Sequence, residues 1–437
     1  MELTRREALT ALLGTAAAGT LAACGGTLAP ADVTQPGFGE SASGQINIWC
    51  RSETQSATTT MVKAFHKSQN RIRVVISPIT GGQYVTKLAT AIRGNRVPDA
   101  VDCDDINSTL FAYRDALTDL TPLLSQLDFA DKLSPGHLAL ATKDGKHYAA
   151  PFLTDASALY CNTELFDRAK VDLDATTSSF AGIIEAARAI SKLGDDTYGW
   201  TYPGNSSGAL GFTVQPHIWA TGTDLIKGEI GDQTGNVAGN VAVQRTLELE
   251  KQLWDEKLVP PGSYSDDASR WSADYVAGRI GMFPAGYGVV VPNADKELLA
   301  KTRVILLPGP DTGRSFFDGG DNLAIPNGSP NPSAAWEYIR FCLELQQQAH
   351  LPDGFYAPVR FDAVTPAFEK DYPLAVPPVA NISQGFAPTT LAYNVLYNQS
   401  DGPWLAMFRE AVFEGKVEAA MQTAQTTYDR LLKQAQA

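Results

Sequence analysis

Cysteine, histidine, basic charge and long apolar runs are all scarce in this chain, and each scarcity removes a class of function. Its 437 residues include five cysteines and five histidines. No two cysteines form a Cys-x-x-Cys pair, and the histidines are scattered, so neither a thiolate zinc site nor an imidazole metal centre is expected. No cofactor is expected either. Beyond the N-terminus no stretch supplies the ~18 uninterrupted apolar residues that a membrane helix needs. The 35 Lys and Arg against 48 Asp and Glu leave a formal charge of −13. An acidic chain without a basic run is a poor partner for nucleic acid.

What is present begins with Met1–Cys24. Arg5 and Arg6 precede an Ala/Leu/Gly/Thr run, Ala11–Ala23, that is too short to span a bilayer. This is an export signal, and its twin arginine points to the Tat route, which carries folded proteins. Leu21-Ala22-Ala23-Cys24 resembles a bacterial lipobox. Residues 1–23 are therefore read as a Tat-type lipoprotein signal peptide, with Cys24 lipidated and the chain anchored at the outer face of the cytoplasmic membrane. Residues 24–43, rich in Gly, Ala, Pro, Ser and Thr, have no hydrophobic period and read as a flexible tether. Roughly 410 residues remain after the signal, enough for two domains with cores of their own.

The body opens with an alternation of elements. Short apolar strands are expected at Ile46–Cys50, Ile72–Ile76 and Ala100–Cys103, with helices at Ser56–Ser68 and Gln83–Arg93 between them. A βαβαβ unit makes a parallel sheet, and such sheets hold ligands outside the carboxyl ends of their strands. Those ends are Arg51-Ser52-Glu53 and Asp104-Asp105-Ile106-Asn107. Neighbouring first and third strands would bring Cys50 near Cys103, the one disulfide candidate; buried free thiols are the default. Asp104 and Asp105 are adjacent and point to opposite sides of extended backbone, one towards a cleft and the other towards a helix cap. Residues 145–162 are extended with a polar middle, which suits a chain crossing between domains. Helices are expected at Phe180–Leu193, Val241–Trp254, Ser333–Glu344 and from Pro403 to the end.

Several later blocks, in order, resemble the extracellular solute-binding proteins of ABC importers, in the group of maltose- and glycerol-3-phosphate-binding proteins. They are Gly145–Pro151 with Ala158–Phe166, Val276–Met282, Gly319–Pro326 with Asn331–Trp336, and Gly354–Arg360; the lipoprotein signal fits the same group. The resemblance implies an α/β, two-lobed periplasmic-binding-protein fold, class II-like, with a ligand cleft between the lobes. Lobe 1 would take residues 44–153 plus 321–352, and lobe 2 residues 154–320 plus 353–437. It also implies ligand contacts at Ser52, Glu53, Asp105, Asp155, Trp219, Tyr287, Gly319, Gly320 and Arg360. Carboxylates and Arg suit vicinal hydroxyls, and aromatic faces suit a pyranose ring.

The function so implied is capture of a carbohydrate, amino sugar or polyol derivative by a monomer. Delivery to a membrane permease and its ATPase would follow, with no catalysis. Glycerophosphodiesters or glycerol-3-phosphate are the alternative ligands. A remote alternative is a secreted serine esterase, because Gly204–Gly208 matches G-x-S-x-G around Ser206. That reading needs a later Asp and His, and His217 follows too soon. A glycosidase would need two opposed carboxylates, and no spacing singles out a pair.

Overall fold

A computed structural model describes residues 28–194 and 196–436. The signal, Arg5, Arg6 and Cys24 lie outside them. The chain begins with strand β1 (Gly44–Arg51), helix α1 (Gln55–Ser68), β2 (Ile72–Ile79), α2 (Gly81–Arg93), β3 (Ala100–Asp104) and α3 (Asp105–Tyr113). Helix α4 (Pro135–Leu140) leads to the thirteen-residue β4 (Ala150–Asn162). Then come α5 (Phe180–Ser191), β5 (Tyr198–Trp200), α6 (Ser207–Trp219), α7 (Val241–Asp255), β6 (Ile280–Gly286) and β7 (Thr302–Ile305). The chain continues with the long β8 (Arg314–Ala324), α8 (Pro332–Cys342), α9 (Pro403–Phe413) and α10 (Val417–Ala435).

These strands belong to one mixed sheet, whose main path runs β2-β1-β3-β8-β4-β6-β5. The first three are parallel, as the βαβαβ pattern implies, with β1 between β2 and β3. β8 lies antiparallel to both β3 and β4, and β4 lies antiparallel to β6 and β7. The polar-centred segment around Asp155 is thus the middle of one continuous strand.

Two large cores flank this crossing. One gathers Ile46, Ile48, Met61, Phe65, Phe152, Leu323, Trp336 and Tyr338. The ring of Phe65, on the buried face of α1, meets Tyr338 and Phe341 of α8 edge-on at 5.4 and 5.1 Å. The other core gathers Leu159, Ile183, Trp200, Leu247, Trp404, Phe408 and Tyr428. Helix α7 enters it in register because Asn240 caps the helix, its Oδ1 accepting from Ala242 and Val243. Residues 28–43, expected to run free as a tether, lie against the first core instead. Val33 and Ala42 are buried there, and the Ala31 amide donates to Thr118 at 3.2 Å.

All four described cysteines are free and buried. The register explains why Cys50 and Cys103 do not meet. Ile48 lies opposite Ala100 and Trp49 opposite Val101, so Cys50 falls level with Asp102 and Cys103 one residue on, facing the other side.

Glu250 of α7 is fully buried with no hydrogen-bond partner on either oxygen. Burial pushes its carboxyl up to about 8, with Trp200 opposing. The folded state therefore prefers the protonated acid. Its contribution to stability is complete below the ordinary glutamate range and is lost as pH rises through about 8. Glu250→Gln should raise the melting temperature by several degrees at pH 8.5 and by much less at pH 5. An equal shift at both pH values in a thermal melt would show that the carboxyl is not neutral.

Candidate functional site

A cavity of about 580 Å³ opens at the carboxyl ends of β1, β2 and β3, within the size range of small-molecule sites. One wall carries Arg51, Glu53, Gly81, Tyr84, Asp104 and Asn107; the other carries Thr390, Tyr393, Asn394 and Asn398. The first wall follows from topology, because each of the three parallel strands ends there in a polar turn. The Glu53 Oε1 accepts from the Gly81 amide at 3.3 Å, and the Tyr84 hydroxyl donates to the Trp49 carbonyl at 3.1 Å. The second wall is a widened π-helical turn, Asn394–Asn398, of a kind frequent at functional sites.

Arg51 anchors the floor. Its fork is bidentate to Asp321 of β8, and Nη1 donates to Asp104 Oδ2 at 3.2 Å. Burial pushes the Asp104 carboxyl up to about 6, Arg51 opposing and Asp321 adding to the rise. Asp155, at the centre of β4, is likewise pushed up to about 6, by burial first.

Among the residues expected from sequence, Glu53 lines the cavity, and Ser52 is exposed beside it, its amide donating to the Ile79 carbonyl at 2.9 Å. Asp105 does not line it; Asp104 does. The strand ends at Asp104, so Asp105 becomes the first helical residue and turns inward. There its side chain is fully buried, 3.4 Å from His137 Nε2. Trp219 is committed to packing between Phe317 and Phe386, and its Nε1 donates to Asp224 at 2.9 Å. Tyr287 sits in a small core with Phe368 and Val379, its hydroxyl pushed up to about 12 by burial and then by Asp353.

Gly319 and Gly320 belong to β8 at its crossing with β4. A Cβ at Gly320, whose φ is +149°, would lie 2.1 Å from the Leu153 carbonyl, so these glycines serve strand contact. Arg360 is structural: it forks onto Asp362, donates to the Leu343 carbonyl at 2.9 Å and covers the Phe129 ring. The sequence reading missed the 390–398 wall. Its signal was the repeated Tyr-Asn pair, Tyr393-Asn394 and Tyr397-Asn398, one helical turn apart.

Ser206 has no elbow. It stands at the start of α6, so His217, at the far end of the same helix, is about 16 Å away. His217 is buried, hydrogen-bonded to the Pro308 carbonyl and pushed down to about 4 by burial, hence neutral. Gly204 is explained by packing, since a Cβ there would meet Phe413 and the Ser263 carbonyl at 2.7 Å.

Two lobes thus meet around a polar cavity lined by carboxylates, amides and tyrosines. The profile of the bacterial extracellular solute-binding proteins matches residues 51–349, and the chain belongs to that family. It is a solute-binding protein and not an enzyme. The diacetylchitobiose binding protein DasA of Streptomyces coelicolor is 24% identical over 340 residues, 74% of this chain and 75% of that one. Among solved structures, the sugar-binding protein MalE of Xanthomonas citri superposes with a TM-score of 0.78. It covers 90% of this chain and 98% of its own at 19% identity. The GacH receptor of Streptomyces glaucescens gives 0.73, with 90% and 99% covered at 20% identity.

Behind the cavity floor, His137 is buried between Asp105 and Asp318, with Ser134 Oγ 3.1 Å from Nδ1. Burial opposes its charge, but Asp318 and then Asp105 outweigh it and push the imidazole up to about 9. The stability it contributes is complete below pH 6.5 and is lost as pH rises through about 9. In urea unfolding, the stability gap between the protein and His137→Gln should be widest near pH 6 and narrow by pH 9.5. A constant gap would mean that the ring is neutral throughout.

Proposed function

We propose that this chain is the solute-binding component of an ABC importer and that its solute is a carbohydrate, held in the cavity between the lobes. The observation that carries this reading is the pairing of the two walls. Glu53, Asp104 and Asn107 face Tyr393, Asn394 and Asn398, which together offer acceptors, amides and an aromatic side chain suited to a polyhydroxylated ring. The relative that binds diacetylchitobiose and the sugar-binding MalE support the same class. A ligand touching both walls favours the closed state by its differential affinity, and that state would dock on a permease. A glycerophosphodiester is disfavoured, because the cavity's guanidinium is already shared by Asp104 and Asp321.

Thermal shifts of the protein against sugars, amino sugars and glycerophosphodiesters test the class. A ligand at 100 times its Kd adds roughly 2.7 kcal/mol of stability. A shift with sugars that Asn394→Ala and Asn398→Ala reduce tenfold in affinity supports the site; silence with every sugar overturns it.

The same proposal places the protein outside the cytoplasmic membrane, exported through Arg5 and Arg6 and anchored through a lipid on Cys24. Cys24→Ser should release it from the membrane fraction. Unchanged membrane association would refute the anchor.

A further inference from the structure

We propose that the solute site continues beyond the interlobe cavity onto the indole of Trp49, so that an oligosaccharide lays a further ring there. This deepens the reading above and rests on the interlobe cavity being a carbohydrate site.

A second hollow, of about 830 Å³, lies beside α2 and is lined by Trp49 of β1, by Gln83, Lys87 and Thr90, and by Arg96 beyond the helix. It adjoins the cavity, because Gly82 and Thr86, one turn apart on α2, line both. The ground between the two is low at Gly82, where a Cβ would meet nothing within 4 Å. Neither a close contact nor a left-handed φ calls for glycine at this position, and glycine is a poor helix former. Trp49 also stands two residues before Arg51 on the same face of β1. That spacing puts it about 7 Å from a residue of the cavity wall.

The sheet explains why the indole is accessible. β2 is the edge strand, and its Ser77 lies opposite Trp49, with Val75 opposite Asn47. The buried side chains of α2, Tyr84 and Leu88 among them, pack with Val101 and Cys103 of β3. The helix therefore covers the β3 side better than the edge, where Val75 is exposed and Trp49 only half-buried. An indole bordered by an amide, a hydroxyl and two cations suits a pyranose, whose C–H face lies on the ring while its hydroxyls meet the polar border. Lys87 Nζ lies 5.2 Å from the ring centroid. Its long stem can swing aside, and its ammonium then donates to the hydroxyls of a sugar laid on the indole.

Calorimetry with two length series tests this: glucose to maltotetraose, and N-acetylglucosamine to tetra-acetylchitotetraose. In the series that binds, affinity should rise at least tenfold from disaccharide to tetrasaccharide. Gly82→Phe, which raises a barrier between the hollows, and Trp49→Leu, which removes the aromatic face, should each bring that ratio close to one. Equal affinity along the bound series, or a tenfold rise that survives both variants, overturns the inference and leaves the carbohydrate site standing. Silence with both series overturns it as well; the carbohydrate reading falls only if the wider thermal-shift screen is also silent. Gly82 is exposed and unconfined, so Gly82→Phe decides the matter even if Trp49→Leu fails to fold.

Discussion

The antiparallel pairing of β4 with β8 is the constraint on which the rest depends. Each strand is long enough to serve both cores, and each pairs on one stretch with the first lobe and on another with the second. Sheet pairing therefore runs through the region between the lobes, with one register shift between Asp321 and Asn322. Gly319 lies opposite Asp155 and Gly320 opposite Thr154, and at Gly320 the facing backbone leaves no room for a Cβ. A side chain on Gly320 would separate the strands and open the floor of the cavity.

Polar chemistry collects at the same crossing. Thr154 donates to Asp318 at 3.0 Å, and Asp318 accepts from Ser134 at 2.9 Å. On the other side Asp102 accepts from Thr54 at 2.7 Å and from Thr58 at 3.1 Å. Buried carboxylates need such donors, and breaking a buried pair costs about 3–5 kcal/mol. These groups fix one arrangement of the strands and leave Asp104 at the edge of the network, where it meets solvent. Binding chemistry and interlobe geometry thus share residues.

The fold was largely legible in the sequence, and the site was legible in part. The alternation from Ile46 to Cys103 carried its own periodicity, so a parallel sheet with polar turns at Glu53 and Asp104 followed from general rules. Which acid at the end of the third strand meets the cavity depended on one-residue phase. The helix starts at Asp105 itself, so that side chain turns inward and Asp104 is left at the cavity. Arg360, Trp219 and Tyr287 have the chemistry of ligand contacts, but each found its partner within the protein, in Asp362, Asp224 and a local core. The 390–398 wall escaped because a π-helical turn has no apolar period of its own, and its Tyr-Asn repeat carries meaning only opposite the first wall.

The docked segment 28–43 has a mechanical consequence. With Cys24 lipidated as proposed, the four residues from it to Leu28 reach at most about 14 Å. The lobe built on β1–β3 would then stand as a foot on the membrane, and the lobe carrying Tyr393 would be the jaw that swings. Such a receptor would search for its permease by sliding in two dimensions, with its mouth held at a nearly constant height above the lipid.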